Sequence, residues 1–531
     1  MSPIIFSLQN SWRNARQQCW IVFFTLSLLS LTLYSPSFFG DFIWDDTETF
    51  LNDPSIRDSS YISSYFTEGV ASHLEKQGVA HKSLGYYRPL IRMLHFLEYK
   101  IFGKNPAGFH AVSIILNLLV VLLAFLVVRE VTRNSLVAFM SAMFFSVNPS
   151  HVEAVSWAYS DSYLVFSLFC LLSFYFHLRN KIVWSLVSFS AALLAQESAI
   201  LLPIILVFER YLIANKKTFK DYNFLIPYLV LVVSFLVLRS FAVGSLPITS
   251  IGIVPWLNAI STILATSVKI FFVPDAAIAL YHNKPGMFAE ISVGQSFIYF
   301  GVIGLGLVAA WLWKYHQAWL FWYAWFFVWL LVMFNVGEFA QFYFMDKILY
   351  LGSLGFCVLL AKGLLSLRVK ESVLVLITVS YVALYFSVSM WRVSYFLDEK
   401  KYFEKAVLFS PDFPLLRYST GMMYLDREEY NKAEKEFNLT VKLDPKHSYA
   451  YNNLGNIMYM RSDFSGAINF WRRAISADPT NPQPYYNIGA AYDRRGDFQQ
   501  ALRYYKQYLV KQPNPPENLL NRIQQIKNIQ R

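Results

Sequence analysis

Charge is the scarcest ingredient of this sequence. Asp, Glu, Lys and Arg together make up 15% of its 531 residues, against 55% apolar and 18% aromatic. A soluble chain of this size carries more charge on its surface, so this balance argues against an ordinary water-soluble enzyme and predicts insertion into a membrane. The charges present are unevenly spread. They thin out from about Trp20 to Trp391 and thicken from Tyr395 onward, which predicts a membrane part followed by a soluble part. Cysteine is nearly absent as well. Cys19, Cys170 and Cys357 all lie in or beside apolar runs, so no disulfide framework is implied and the redox compartment is left open. Any basic stripe interleaved with aromatics is missing too. The net charge of +11 therefore reads as cytoplasmic loops plus a basic tail, and no nucleic-acid partner is expected. Finally, Arg13 and Arg16 precede the first apolar run as in a signal peptide, but no small-residue cleavage site follows before Phe39. An uncleaved anchor helix is predicted.

Apolar runs are what the chain has in abundance. About eleven could span a bilayer, near 20–39, 108–128, 135–148, 160–178, 182–195, 198–213, 223–243, 295–313, 318–336, 347–366 and 372–391. Lys and Arg in the loops give the orientation, with Arg129, Arg179, Arg210, Lys314 and Lys362 on the cytoplasmic side. The stretch 256–273 carries Asn258, Ser261, Thr262, Thr266 and Lys269 at helical spacing, and such a polar stripe favours lying in the interface over crossing. The loops 40–107, 149–159, 274–294 and 337–346, and the C-terminal tail, then lie outside the cytoplasm. Within the first external loop, 40–107, the stretch 86–104 reads as a helix from Pro89. Arg88, Arg92, His95 and Tyr99 form one stripe of it, as in an amphipathic helix at a membrane surface.

The tail repeats. Gly421, Gly455 and Gly489 are 34 apart, and so are Ala433, Ala467 and Ala501, Phe437, Trp471 and Tyr505, and Pro445, Pro479 and Pro513. A Gly where two helices cross, an Ala packed between them and a Pro closing each unit make the tetratricopeptide pattern. Phe403 and Pro411 continue the register upstream. Such helix pairs stack into a concave surface that holds peptides or partner proteins. The domains expected are therefore 1–394, a membrane domain, and 395–531, a repeat domain.

Chemistry is suggested just past the first span, in "DFIWDDTETF" at 41–50. Adjacent Asp45 and Asp46 repel each other, and a proton or a cation must relieve them. A metal, an acceptor hydroxyl and water all fit that need. The plain structural reading is a capped loop helix. Arg88 and Arg92 can equally snorkel to lipid phosphates. His151 and Glu153, after Asn148-Pro149, fit a helix cap as well as a site. Asp161 and Glu197, near the edges of apolar runs, are candidates for function by their depth.

Several pieces in fixed order carry a resemblance: Asp45-Asp46, "YYRPL" at 86–90, "NPSHVEAVSWA" at 148–158, "QESAILLP" at 196–203 and "DKILYLGSLGF" at 346–356. With the repeats behind them, the chain resembles GT-C fold glycosyltransferases, and among these the transmembrane and tetratricopeptide-repeat-containing protein O-mannosyltransferases and their bacterial relatives. The resemblance implies an all-α fold, a polytopic GT-C-like helical core followed by a tetratricopeptide-repeat solenoid. It also implies an integral-membrane, inverting transferase that moves a sugar from a polyprenyl-phosphate-linked donor to a Ser or Thr of a protein. Asp45 and Asp46 match its catalytic acidic pair. Arg88, Arg92, His151, Glu153, Asp161, Glu197 and Lys347 are the implied substrate-binding residues. One branch of the fold holds a divalent cation (Mg or Mn), which Asp46 and Glu153 would ligate here with Asp161 as a further candidate; another branch works without metal. The chain departs from the pattern at Asp161-Ser162-Tyr163 and at Gln196-Glu197, where relatives carry a further cation each, and at Lys347, where relatives carry Arg. Two other functions stay open on that account: a ligase or polymerase of lipid-linked envelope glycans, and a non-catalytic membrane-anchored repeat scaffold. The expected partners are the lipid-linked donor, an acceptor protein bound by the repeats, and membrane lipid. The expected location is a bacterial inner membrane with the repeats periplasmic, the alternative being the endoplasmic reticulum.

Overall fold

The computed structural model describes residues 15–70, 86–243, 281–282, 293–331, 343–344, 346–512 and 515–529. The interfacial stretch 256–273 lies outside them, as do the loop 274–294, apart from 281–282 and 293–294, and Pro513. Regular structure among the described residues is helical, apart from one two-residue antiparallel pairing of Tyr281–His282 with Tyr343–Phe344. Two compact units form, the first reaching Tyr402 and the second running from Phe403 onward. Residues 395–402 thus pack with the first unit, downstream of the change in charge density.

Among the described residues helices occupy the expected apolar runs, yet five helices rather than eleven are long and apolar enough to cross a membrane by length and composition. They are Trp20–Phe39, Pro106–Thr132, Ala158–Leu178, Leu225–Val243 and Glu371–Val393. The helices Ser135–Ser146, Ile182–Ala195 and Ser353–Ser366 are apolar but shorter. At a rise of about 1.5 Å per residue they fall short of a hydrocarbon core about 30 Å thick. In Leu225–Val243 and Glu371–Val393 most side chains point outward, Val230, Val233, Leu236, Leu376 and Val379 among them. Lipid accommodates such a surface and water does not. The chain is a membrane protein.

Local sequence explains where the helices start. Asn105 accepts from the Ala107 amide with Pro106 in the first turn. Asn134 accepts from both Leu136 and Val137. Arg133, left-handed with φ 53°, ends the helix Pro106–Thr132. In the core, polar side chains link helices: Tyr350 Oη donates to Asn117 Oδ1 at 2.6 Å, and Asn117 Nδ2 donates to Ser30 Oγ at 2.8 Å. Such bonds tie spans together where apolar burial gives no preference between lipid and protein.

The second unit is built from helix pairs, Pro414–Asp426 with Tyr430–Leu443, Ser448–Met460 with Phe464–Ala477, and Gln483–Arg494 with Phe498–Lys511, closed by Glu517–Ile529. The glycine column has a steric cause. A Cβ on Gly421, Gly455 or Gly489 would stand 2.6, 2.5 or 2.6 Å from Phe437, Trp471 or Tyr505. The paired helix lays its aromatic ring where a side chain would be, and Ala433, Ala467 and Ala501 are fully buried beside it.

Candidate active site

After Gly40 the chain turns at Trp44, whose φ of 49° is left-handed. That conformation costs a bulky residue about 1–2 kcal/mol and needs external support. Trp157 supplies it: the two indoles stack with centroids 5.6 Å apart and planes 6° from parallel. The Trp44 amide also donates to Glu399 Oε1 at 3.2 Å. Trp157 is itself placed by a loop that starts at Asn148, whose side chain accepts from the Ser150 amide at 3.0 Å.

Asp45 and Asp46 take different environments. Asp46 is fully buried; Oδ2 accepts from the Ile43 amide at 3.1 Å and Oδ1 from the Tyr159 amide at 2.7 Å. With both oxygens committed to backbone, Asp46 ties the first loop to the second. Burial pushes its carboxyl well above the usual carboxylate range, against the pull of those two N–H groups. Asp45 is half-buried, and its charge acts on Tyr159, Lys347 and Tyr402.

The cations gather on the same side. Lys347 is buried, with Nζ 3.1 Å from Ser160 Oγ, 3.6 Å from Glu153 Oε1 and 3.8 Å from the Trp157 ring centroid. Arg88 donates from Nε to Glu197 Oε2 at 3.2 Å and lies over the Tyr86 ring. Glu197 Oε1 accepts from the Tyr87 amide at 2.7 Å, so one carboxylate fixes both the guanidinium and the turn before the helix Pro89–Phe102. The Arg88 charge reaches Lys347, Tyr159 and Tyr163. Asp45, Arg88, Glu153, Glu197 and Lys347 therefore share one polar zone walled by aromatics. Two positive groups there can meet a phosphate, and one carboxylate can accept a proton.

Three expected substrate contacts lie elsewhere. Arg92 is buried and spends its guanidinium on the Ser64 and Glu68 carbonyls, 3.3 and 3.5 Å away, and on the Tyr65 ring. His151 sits between the rings of Phe145 and Tyr350, with Nε2 2.7 Å from Ser353 Oγ. Burial drives its pKa down to about 3, which keeps the ring neutral. Asp161 meets His95, with Oδ1 3.1 Å from Nε2. The two residues expected as a metal pair, Asp46 and Glu153, each have protein partners. Backbone amides occupy Asp46, Lys347 holds Glu153, and the ligand atoms that converge among the described residues are those of His95, Glu98 and Asp161.

The helix Pro89–Phe102 also faces differently from a simple surface helix. Arg92, His95 and Glu98 are buried while Leu97 and Ile101 are exposed, so its polar face turns into the protein. Sequence reading missed the Trp44–Trp157 stack, Glu98, and the buried ion pair of Asp346 with Arg392. Spacing could have flagged Glu98, three residues after His95. A lone arginine at the end of an apolar run could have flagged Arg392.

Comparison with known proteins now bears on this zone. Residues 88–243 match the family model of dolichyl-phosphate-mannose-protein mannosyltransferases. That segment contains Arg88, Glu153, Asp161 and Glu197; Asp45, Asp46 and Lys347 lie outside it. Residues 455–496 and 482–515 match tetratricopeptide-repeat models. The resemblance is to protein O-mannosyl-transferases. The human protein O-mannosyl-transferase TMTC1 is 32% identical over 158 residues, 28% of this chain and 17% of the relative. The Drosophila melanogaster protein O-mannosyl-transferase Tmtc1 is 27% identical over 182 residues, 33% of this chain and 21% of the relative. The matches thus span about a fifth of those relatives' length. A solved oligosaccharyltransferase from Archaeoglobus fulgidus, tethered to an acceptor peptide, aligns with TM-score 0.37 and 14% identity over 72% of this chain and 56% of that one. A superposition that loose defines no common fold.

Proposed function

We propose that this protein is an integral-membrane inverting glycosyltransferase with a GT-C-like core, moving a sugar from a polyprenyl-phosphate-linked donor to a Ser or Thr hydroxyl of a protein outside the cytoplasm. The observation that carries the reading is the half-buried Asp45 on its braced turn, in one polar zone with Arg88 and Lys347. The similarity of residues 88–243 to mannosyltransferases supports the substrate class. The chemistry follows from the groups present. An acceptor hydroxyl attacks C1 of the sugar as the C1–O bond to phosphate breaks on the opposite face, so the anomeric centre inverts. Asp45 takes the hydroxyl proton. The charge left on the polyprenyl phosphate is met by Arg88 and Lys347. Asp46 positions Asp45 through its two backbone bonds. The repeats bind the acceptor protein on their concave face. The core crosses a bacterial inner membrane about eleven times, counting shorter helices that tilt or pair, with the repeats in the periplasm.

Asp45→Asn keeps the size and hydrogen bonding of the side chain and removes the proton acceptor. Transfer of radiolabelled mannose from polyprenyl-phosphate-mannose to protein, in membranes with equal expression, is expected to fall about a hundredfold or more. Unchanged transfer by Asp45→Asn removes Asp45 as the base, whereas no transfer by the wild-type chain from any such donor overturns the transferase reading and leaves the membrane-anchored scaffold.

A further inference from the structure

Behind Asp46 lies a cluster that the transfer chemistry does not use. His95 and Glu98 project from one face of the helix Pro89–Phe102, three residues apart. Asp161 meets them from the first turn of the helix Asp161–Leu178. One ligand atom from each, a ring nitrogen and two carboxylate oxygens, lies within 4.8 Å of the others. All three side chains are buried, at 3, 3 and 1% exposure. His95 Nε2 and Asp161 Oδ1 are 3.1 Å apart. Two ligands each about 2.0–2.1 Å from a single tetrahedral ion would stand about 3.4 Å apart, so this edge already has close to the right length.

The carboxyl groups of Glu98 and Asp161 are buried together with Asp46 nearby, and a proton or a cation must relieve them. Among the described residues no Lys or Arg bonds to Glu98 or Asp161. Arg88 is committed to Glu197 and Arg92 to carbonyls of the first loop. Glu98 Oε2 and Asp161 Oδ2 are buried with no hydrogen-bond partner among the described residues. Leaving polar atoms of that kind unsatisfied is costly.

We infer that His95, Glu98 and Asp161 form a binding site for one divalent transition-metal ion of the zinc type. One imidazole with two carboxylates suits Zn(II) or Mn(II), whereas Mg(II) and Ca(II) favour larger all-oxygen shells. The ion would neutralise the two acids and clamp the helix Pro89–Phe102 to the start of the helix Asp161–Leu178. Tyr159, whose amide holds Asp46, precedes Asp161 by two residues, so the clamp would steady the catalytic turn from behind. The site stands whether or not the transfer reading is right, because its test measures metal and not activity.

The full chain is purified in detergent from zinc-supplemented cells, dialysed against a weak chelator, and its metal content measured by mass spectrometry. About one zinc per chain is expected. Glu98→Gln and His95→Asn should each lower retained zinc at least about tenfold, while Glu517→Gln, an exposed control, leaves it unchanged. Exchange with Co(II) should give the wild-type chain a visible absorption band of mixed nitrogen and oxygen ligation. That band should be lost in Glu98→Gln, which keeps the side chain's shape and covers the case in which His95→Asn fails to fold. Zinc at background in the wild type, zinc unaffected by Glu98→Gln, or an infrared band of a protonated carboxylic acid that disappears in Glu98→Gln would each overturn the site. The last outcome means that a proton relieves the pair.

Discussion

The indole of Trp44 lies flat on that of Trp157, 5.6 Å away and 6° from parallel, and the Lys347 ammonium sits 3.8 Å from the centre of the Trp157 ring. A stacked aromatic pair contributes about 0.5–1.5 kcal/mol beyond its burial. That is close to the roughly 1–2 kcal/mol a left-handed tryptophan costs. The stack therefore offsets much of that strain, beside the Trp44 amide's bond to Glu399 and the two backbone bonds of Asp46.

Trp157→Ala should accordingly do more than open a cavity. Loss of a buried tryptophan costs about 3–5 kcal/mol, visible as a lower melting temperature of the detergent-solubilised chain. Transfer should fall further than that instability explains, because the Asp45 turn and the Lys347 platform go together. Trp157→Phe should recover much of both. A Trp157→Ala variant with normal transfer at low temperature would separate the stack from the chemistry.

Arg88 and Glu197 act as a unit. Arg88→Ala should raise KM for the lipid-linked donor about tenfold or more while kcat falls less, since a charge-assisted contact is worth about 1.5–3 kcal/mol. Glu197→Gln should give a smaller rise, because Tyr87 keeps a partner and Arg88 merely loses its guide. Initial rates across a donor concentration series distinguish the two. Equal effects on kcat alone would remove both from donor binding.

His151 predicts a pH dependence of stability. Its pKa falls from 6.5 to about 3 on folding, so on acidification the unfolded chain takes the proton first. The stability from burying it neutral is complete above pH 6.5 and drains away as pH falls toward 3. The slope reaches about 1.4 kcal/mol per pH unit from this one group. Melting temperatures from neutral to acidic pH should fall less steeply for His151→Phe than for the wild type. Parallel curves would mean that His151 titrates normally.

In the repeats, Gly455→Ala would put a methyl group 2.5 Å from the Trp471 ring. Overpacking of that kind costs about 1–3 kcal/mol. Limited proteolysis of the full chain should release tail fragments faster in this variant. Gly363→Ala, where nothing lies within 4 Å, should behave as wild type.

The side of the membrane is read by Ser465→Cys, at an exposed position in the helix Phe464–Ala477. Cys170 and Cys357 are buried, which keeps their background labelling low. An impermeant thiol reagent should modify Ser465→Cys in intact spheroplasts. Labelling only after lysis would put the repeats in the cytoplasm, away from the proposed acceptor.

What the sequence determined by itself were features written in neighbouring residues. The helices follow from runs of apolar residues, from caps such as Asn105 and Asn134, and from the 34-residue spacing of Gly455 and Gly489. The adjacent acidic pair brought Asp45 forward as a candidate, and the resemblance of the surrounding motifs added Arg88 and Lys347. Spacing could not say which of them meet. Asp46 joins Tyr159, 113 residues on, and His151 joins Ser353, 202 residues on. Only the tertiary structure decided that both Asp46 oxygens meet backbone amides, that Arg92 and His151 engage neighbouring protein groups, and that Asp161 lies with His95 and Glu98. Hydrogen bonds and ion pairs act over a few ångströms, and folding alone sets which distant residues come that close.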